Sequence, residues 1–332
     1  MAYQKRIPYR HGVSEQRRKD KNMSVIDVSH LTKDYGYGRG VFDVSFHVDR
    51  GEVFGFLGPN GAGKSTTIRH LMGFSQPDSG STQIFGKESF HRYYEILNHV
   101  GYIPGEIALP AGLTGWEFLR MMQDLQGGRN EECLKKLLDL FELDPSGETK
   151  RMSLGVKRKL AVVTAFMNDP DVLILDEPTS GLDPVMQEVF IDYVKNEKKR
   201  GKTILLSSHI FSEVDATCDR IAIIKDGRIV SDFIANDLKH ASRKNYRIEF
   251  EKPAELAQFA QRCEKSDAVQ ILNRDDDARL LTVTTDDKNI NELVAALADY
   301  SVTGFAHQKE TLEDYFMSYY KEDKEFGGAL EK

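Results

Sequence analysis

The chain has 332 residues, 40% hydrophobic and 10% aromatic, which is enough apolar material for about two packed domains and excludes a disordered protein. Its apolar runs are far shorter than the roughly 18 residues of a membrane-spanning helix, and Cys133, Cys218 and Cys263 form no CxxC pair, which excludes a disulfide framework or zinc knuckle and indicates a reducing compartment. The net charge is −7: residues 1–22 carry +5 and the remaining 310 carry −12, which argues against nucleic acid as a partner.

The first 23 residues are predicted to form a disordered basic extension. Seven Lys and Arg residues stand there without apolar periodicity, and the segment lacks the apolar core of a signal peptide. Such a block of like charge is an electrostatic contact to anionic lipid or nucleic acid, a solvated extension, or the product of an upstream start codon. The folded part of the chain is expected to begin at about residue 24.

From residue 24 to about 236, strand-like runs alternate with helical spacing, which predicts an α/β fold with parallel strands at its centre. The predicted strands are 25–31, 41–48, 52–57, 172–176, 203–207 and 221–225. Between the third and the fourth, helical spacing dominates about residues 89–167, which are predicted to form a helical subdomain set into the α/β core. Residues 237–332 follow the order βαββαβ, which predicts a small C-terminal α+β accessory domain of ferredoxin-like type.

A phosphate-binding loop is predicted at residues 58–66, whose sequence satisfies GxxxxGK[ST] between a predicted strand and a helix. Glycines let the backbone N–H groups point inward at phosphate oxygens, and the helix N-terminus adds positive potential. Lys64 is expected to reach the β- and γ-phosphates, and Ser65 to bind Mg²⁺. The alternative is a glycine-rich turn without a ligand. The residues predicted to bind ATP here are Gly58, Pro59, Asn60, Gly61, Ala62, Gly63, Lys64, Ser65 and Thr66.

Two acidic residues, Asp176 and Glu177, end the apolar strand 172–175. Ligands bind α/β sheets at the carboxyl ends of their strands. Asp176 is therefore predicted to belong to the Mg²⁺ shell, and Glu177 to orient or deprotonate the attacking water. The alternative is an ordinary helix N-cap.

With Ser180-Gly181-Leu182-Asp183-Pro184 and Ser207-Ser208-His209 downstream, residues 24–235 resemble the ATP-binding subunit of ABC transporters. The resemblance implies a P-loop NTPase cassette with a RecA-like core, an antiparallel β subdomain and a helical subdomain. It also implies that residues 180–184 form the D-loop, to which Asp183 belongs, that His209 is a switch histidine sensing the γ-phosphate, and that Tyr35 stacks on adenine. Without the resemblance, His209 would be interpreted as a surface or core residue.

Residues 152–156, MSLGV, are similar to the family's LSGGQ signature, which Ser153 and Gly155 match while Leu154 and Val156 depart from it. The resemblance implies that Ser153 caps a helix pointing at the ATP of a second subunit; the alternative is an ordinary N-cap. A second departure is Gly105, which stands where the family usually has a glutamine. Either Glu106 or a water replaces that amide, or coupling tolerates its loss, so hydrolysis is expected to be weaker or differently timed while ATP binding persists.

The resemblance implies an ATPase that uses ATP and Mg²⁺. Because the sequence has one P-loop and one signature, the expected active form is a homodimer closed by two ATP molecules. The other expected partner is a separate membrane permease, which would place the chain in the cytoplasm, peripheral on the inner face of the cell membrane. The single cassette, the TSGLDP run and the trailing domain are most similar to ABC-2 type exporters, including multidrug exporters. The alternatives are a soluble non-transport ABC-type ATPase and a regulatory module with a degenerate cassette.

Overall fold

The computed structural model of the protein describes residues 24–239, 243–264, 266, 268–308 and 311–321. The predicted basic extension, 1–23, lies outside the described residues. The chain divides into two compact units between Asp232 and Phe233, inside the strand that ends the first unit. The sequence-based boundary, at residue 236, falls a few residues later.

The first unit alternates strands and helices. In chain order its elements are β1 (Ser24–Asp34), β2 (Gly40–Asp49), β3 (Val53–Leu57), α1 (Lys64–Leu71), β4 (Ser79–Ile84), β5 (Lys87–Glu88), α2 (Ser89–Ile96), β6 (Val100–Ile103), α3 (Gly115–Leu125), α4 (Glu131–Leu140), α5 (Leu154–Phe166), β7 (Val172–Asp176), α6 (Pro184–Lys199), β8 (Thr203–Ser208), α7 (Phe211–Thr217), β9 (Arg220–Lys225) and β10 (Arg228–Ile234). Across the described parts of the chain, every helix is too short or too polar to cross a bilayer.

One sheet of this unit is antiparallel, with the strand order β2-β1-β4-β5. In β2 apolar residues alternate with polar ones, so that one face is buried and the other solvated, as expected of a sheet with one covered face. Phe46 on that buried face stacks on Phe54 of β3, with ring centroids 5.0 Å apart. This is the antiparallel β subdomain that the family resemblance implies.

The second sheet has the order β10-β9-β3-β8-β7-β6, and the pairs from β9 to β6 are parallel. All residues of β3, β7 and β8 are buried, which is typical of central strands covered on both faces. Leu57 of β3 pairs with Ser208 of β8, and Ser207 of β8 pairs with Asp176 of β7. The carboxyl ends of these three neighbouring strands therefore lie side by side at one edge of the sheet.

The helical subdomain begins later than the sequence indicated. Strand β6 lies inside the segment 89–167 but pairs in parallel with β7, so it belongs to the central sheet. Four residues are too few for a strand to be separated from a helix by periodicity. The helices that follow are α3, α4 and α5, and side-chain caps begin each of them: Thr114 with Glu117 in a capping box, Asn130, and Ser153.

The second unit continues through α8 (Ala235–Lys239), β11 (Arg243–Phe250), α9 (Pro253–Glu264), β12 (Val269–Asp275), β13 (Leu280–Asp286), α10 (Ile290–Leu297), β14 (Val302–Gln308) and α11 (Leu312–Lys321). From β11 to β14 the order of elements is the βαββαβ order that the sequence predicts. The sheet is antiparallel, with the strand order β12-β13-β11-β14. Leu256, Phe259, Ala260 and Cys263 form the buried stripe of α9, at the spacing of one helix face.

Candidate nucleotide-binding site

The predicted phosphate-binding loop connects β3 to α1, at the edge where the three strands end. No side chain caps the N-terminus of α1, so its first N–H groups and its dipole remain available to an anion. Gly63 has a φ of 110°, and a Cβ there would lie 2.7 Å from Val41 Cγ1. A Cβ at Gly58 would lie 2.5 Å from the carbonyl oxygen of Ile224. Both positions therefore require glycine, which the motif supplies.

The remaining residues of the loop lie along its turn and the start of α1. Ala62 is buried and its carbonyl accepts a hydrogen bond from the N–H of Gly227, which fixes the loop against the β9–β10 hairpin. Of the others, three are exposed, namely Asn60, Gly61 and Ser65, and two are half-buried, namely Pro59 and Thr66. The accessible residues thus face solvent, where a nucleotide could approach.

Lys64 is the first residue of α1 and is only 5% exposed. Its Nζ donates hydrogen bonds to the carbonyls of Gly58, at 2.6 Å, and Pro59, at 3.2 Å. The same nitrogen lies 3.1 Å from Glu177 Oε1 as an ion pair. The ammonium group is therefore held inside the loop and faces Glu177.

The two predicted acidic residues occupy different positions at the end of β7. Asp176 is 2% exposed, and its Oδ1 accepts a hydrogen bond from Ser207 Oγ on β8. Glu177 has a φ of 50°, in the left-handed region that is uncommon for residues other than glycine. Its backbone N–H donates to the carbonyl of Ser207, and its Oε2 contacts Nδ1 of His209. The strained backbone turns the Glu177 side chain toward Lys64 and His209.

His209 follows directly after β8, and its side chain is 47% exposed. Its contact with Glu177 joins it to the group that contains Lys64 and Asp176. The structure thus brings together four of the residues predicted from the sequence, on three adjacent strand ends.

Gly105 lies beside Asp176. A Cβ at position 105 would be 3.0 Å from Asp176 Oδ2, so a side chain there would begin next to that carboxylate. Because residue 105 is glycine, its backbone and not a side chain lies next to Asp176 Oδ2. Carboxylate and hydroxyl oxygens are the ligands Mg²⁺ prefers, so Asp176 and Ser65 fit this ion chemically.

The signature residues and the D-loop aspartate lie at the starts of two other helices. Ser153 caps α5 by accepting a hydrogen bond from the N–H of Val156, and Asp183 caps α6 in the same way through Met186. A Cβ at Gly155 would lie 3.1 Å from the carbonyl oxygen of Gly181, so the signature and the D-loop lie against each other.

Tyr35 lies in the turn between β1 and β2 and is 54% exposed. The turn leads into Gly40, whose carbonyl oxygen would be 3.4 Å from a Cβ at Gly63. The exposed ring therefore belongs to a turn whose far end contacts the phosphate-binding loop.

A buried carboxylic acid, Glu213 of α7, is hydrogen-bonded to Ser208, the residue before His209, and the sequence patterns predict no role for it. It is 1% exposed and accepts hydrogen bonds from Ser208 Oγ, at 2.6 Å, and from Thr179. Burial raises the pKa of Glu213 to about 7, and the negative charge of Glu177 acts in the same direction. The residue connects the segment after Glu177 to the segment that carries His209.

Glu213→Gln is expected to make the free energy of unfolding less dependent on pH, because the variant has no carboxyl group to titrate at this buried position. The folded protein holds the Glu213 proton up to about pH 7, whereas the ordinary carboxyl releases it at 4.5, so the wild type loses stability as the pH rises through this range. The variant should gain about 3 kcal/mol relative to wild type between acidic and mildly alkaline pH. Urea denaturation of the wild type and the variant, once at an acidic pH and once at a mildly alkaline pH, measures this gain.

The control for this prediction is Glu188→Gln, which neutralises an exposed glutamate of α6. Its free energy of unfolding should follow the wild type at both pH values. A Glu213→Gln variant whose difference from wild type did not change with pH would contradict a raised pKa for Glu213.

Comparison with known proteins places residues 41–180 in the ABC transporter family. The bacitracin transport ATP-binding protein BcrA of Bacillus licheniformis is 37% identical over 226 residues, which cover 67% of this chain and 73% of that protein. The Nod factor export ATP-binding protein I of Burkholderia pseudomallei (strain 1710b) is 36% identical over 256 residues, which cover 74% and 84%. A solved ATP-binding subunit of an ABC transporter is 32% identical with a TM-score of 0.60, and covers 65% of this chain and 92% of its own.

Proposed function

The chain belongs to the family of ABC transporter ATP-binding proteins and is an ATPase, and from this premise we propose that it dimerises on ATP and drives a separate membrane permease. The favoured direction of transport is export, of the ABC-2 type. The observation that carries the proposal is the group formed by Lys64, Asp176, Glu177 and His209 at three adjacent strand ends.

Each residue of this group has a distinct part in hydrolysis. The α1 N-terminus and Lys64 bind the β- and γ-phosphates, because a buried ammonium and unpaired backbone N–H groups are matched to phosphate oxygens. Glu177 accepts the proton of the attacking water, and its contact with His209 holds the carboxylate in place. Asp176 and Ser65 would hold Mg²⁺, which would neutralise the charge that develops on the phosphates.

The signature residues give the reason for a dimer. Ser153 and Gly155 lie at the α5 N-terminus, against the D-loop of their own chain, rather than in the group around Lys64. We propose that this end of α5 faces the γ-phosphate bound by a second copy, with Tyr35 against the adenine of its own chain's nucleotide. The charge of the body, −12, favours a protein partner over nucleic acid.

A mixing experiment tests the shared site. Ser153→Asp keeps a capping side chain on α5 but places a negative charge where the partner's phosphate would bind, and Lys64→Ala disables the phosphate-binding loop. Each variant alone should hydrolyse ATP slowly. Mixed in equal amounts they should recover up to about a quarter of the wild-type rate, because half of the dimers are then mixed and each has one intact composite site.

Ser153→Thr is the matched control, since it retains the cap without the charge and should stay active. Activity of the mixture no higher than the mean of the two variants would contradict a site shared between copies. The permease is tested by purifying the chain from membranes of its source cells: an integral membrane protein should accompany it and stimulate its ATPase. Recovery of ribosomes would instead favour the non-transport alternative.

A further inference from the structure

We propose that Arg158 is a positioning residue, which uses one buried guanidinium to fix the Gly105 loop, the D-loop and the start of the signature helix α5 relative to the hydrolytic carboxylates. The proposal rests on the function proposed above and adds to it a means by which the signature helix and the hydrolytic site of one chain move together.

The contacts of Arg158 join three segments that are distant in sequence. The side chain is 2% exposed. Its Nη1 donates to the carbonyl of Pro104, its Nη2 to that of Gly105 and its Nε to that of Ser180, each at 2.8 Å. The planar fork of an arginine offers several donors in fixed directions, which a lysine does not.

The charge of Arg158 connects it to the acidic pair. Its three hydrogen bonds end on neutral carbonyls, and burying a cation is costly unless negative charge lies close by. Burial lowers the pKa of the Arg158 guanidinium, while Asp176 and Glu177 oppose this decrease. The acidic residues that serve hydrolysis therefore also stabilise the cation that holds the loops.

The loop at Gly105 depends on such a contact because glycine offers no side chain of its own. Its backbone lies close enough to Asp176 that a Cβ would be 3.0 Å from Oδ2. The guanidinium binds the carbonyls of this residue and of the one before it, so it sets how closely the loop approaches the carboxylate. A shift of the loop would change the space beside Asp176, where the Mg²⁺ site is proposed.

The start of α5 is fixed to the D-loop by a second contact. A Cβ at Gly181 would lie 2.9 Å from Leu154 Cγ, so the Leu154 side chain packs directly on the D-loop one helical turn before Arg158. A displacement of α5 by a second copy's nucleotide would therefore be transmitted to both loops at once. Displacements of about 1 Å are enough to change catalytic rates by about 10²-fold.

Arg158→Gln tests the proposal in the full-length chain. We expect kcat for ATP hydrolysis to fall by about 10-fold or more while KM changes less than about threefold, because the phosphate-binding loop is untouched. Amide hydrogen exchange without nucleotide should increase at residues 105–107 and 180–182 and stay unchanged in β3 and α1. Arg158→Lys, which keeps the charge but not the fork, should have an intermediate kcat.

Arg220→Gln is the matched control. Arg220 binds Glu52, Asp232 and the carbonyl of His47 at the opposite end of the sheet, so its loss should lower stability without a selective decrease in kcat. Wild-type kcat in Arg158→Gln, unchanged exchange at the two loops, or full activity of Arg158→Lys would each overturn the proposal; if Arg158→Gln does not fold, Arg158→Lys provides the test. Failure of the proposed function would show instead in the mixing experiment, as no recovery of activity when Ser153→Asp and Lys64→Ala are combined, and the exchange measurement would still report on Arg158.

Discussion

Glu177→Gln is expected to lower kcat for ATP hydrolysis by about 10²–10⁴-fold and to leave ATP binding intact. The amide has nearly the same shape as the carboxylate and can still contact His209, but it cannot accept a proton from water. It also removes the negative charge 3.1 Å from Lys64 Nζ, so the affinity for ATP should not fall. Phosphate release gives kcat, and a fluorescent nucleotide gives Kd.

The same variant should accumulate as an ATP-bound dimer, because nucleotide that cannot be hydrolysed keeps the closed state populated. Size-exclusion chromatography with light scattering, with and without Mg-ATP, measures this shift. Glu188→Gln, on the exposed face of α6, is the control and should behave as the wild type. Hydrolysis by Glu177→Gln at the wild-type rate would show that another group is the general base.

The parts of the site that the sequence predicts are those fixed by local structure. Lys64 stands at the junction of a strand and a helix, and Asp176 at the end of an apolar strand, so a short stretch of sequence determines where each side chain lies. The strands β7 and β8 have the same bounds as predicted, or differ from them by one residue, because their continuous apolar runs end in polar residues. In such cases residue type and spacing are sufficient to predict where an element ends and where its last side chain lies.

The residues to which the sequence patterns assigned no role contact partners that are distant from them in the sequence. Arg158 stands in the run Lys157-Arg158-Lys159, which is typical of a solvated helix face, and it is buried only because loops from residues 104–105 and 180 close over it. The hydrogen bond from Ser207 to Asp176 requires β7 and β8 to be neighbours in the sheet. Sequence periodicity predicts neither the contacts of Arg158 nor the Ser207–Asp176 hydrogen bond, because both depend on the tertiary fold.

The short strand β6 is a part of the fold that sequence periodicity likewise did not predict. Val100–Ile103 lies between segments with helical spacing, and it forms a strand because β7 offers it a parallel partner. This pairing has a consequence for the site. It places the end of β6, and hence Gly105, beside the end of β7, so the loop that lacks a side chain approaches Asp176 directly.

Lys64→Ala is expected to weaken ATP binding by about 10- to 100-fold and to lower kcat as well, because a charged hydrogen bond to a phosphate contributes about 1.5–3 kcal/mol. The ammonium is 5% exposed and stands between the loop carbonyls and Glu177, so solvent cannot replace it well. Arg69→Ala is the control: it removes an exposed cation from the same helix and should change neither constant. If both variants lost ATP affinity and kcat equally, the effect would come from the lost positive charge of the helix and not from the position of Lys64. Since Glu177→Gln should lower kcat alone, a Lys64→Ala variant with wild-type Kd would contradict the separation of binding and proton transfer between these two residues.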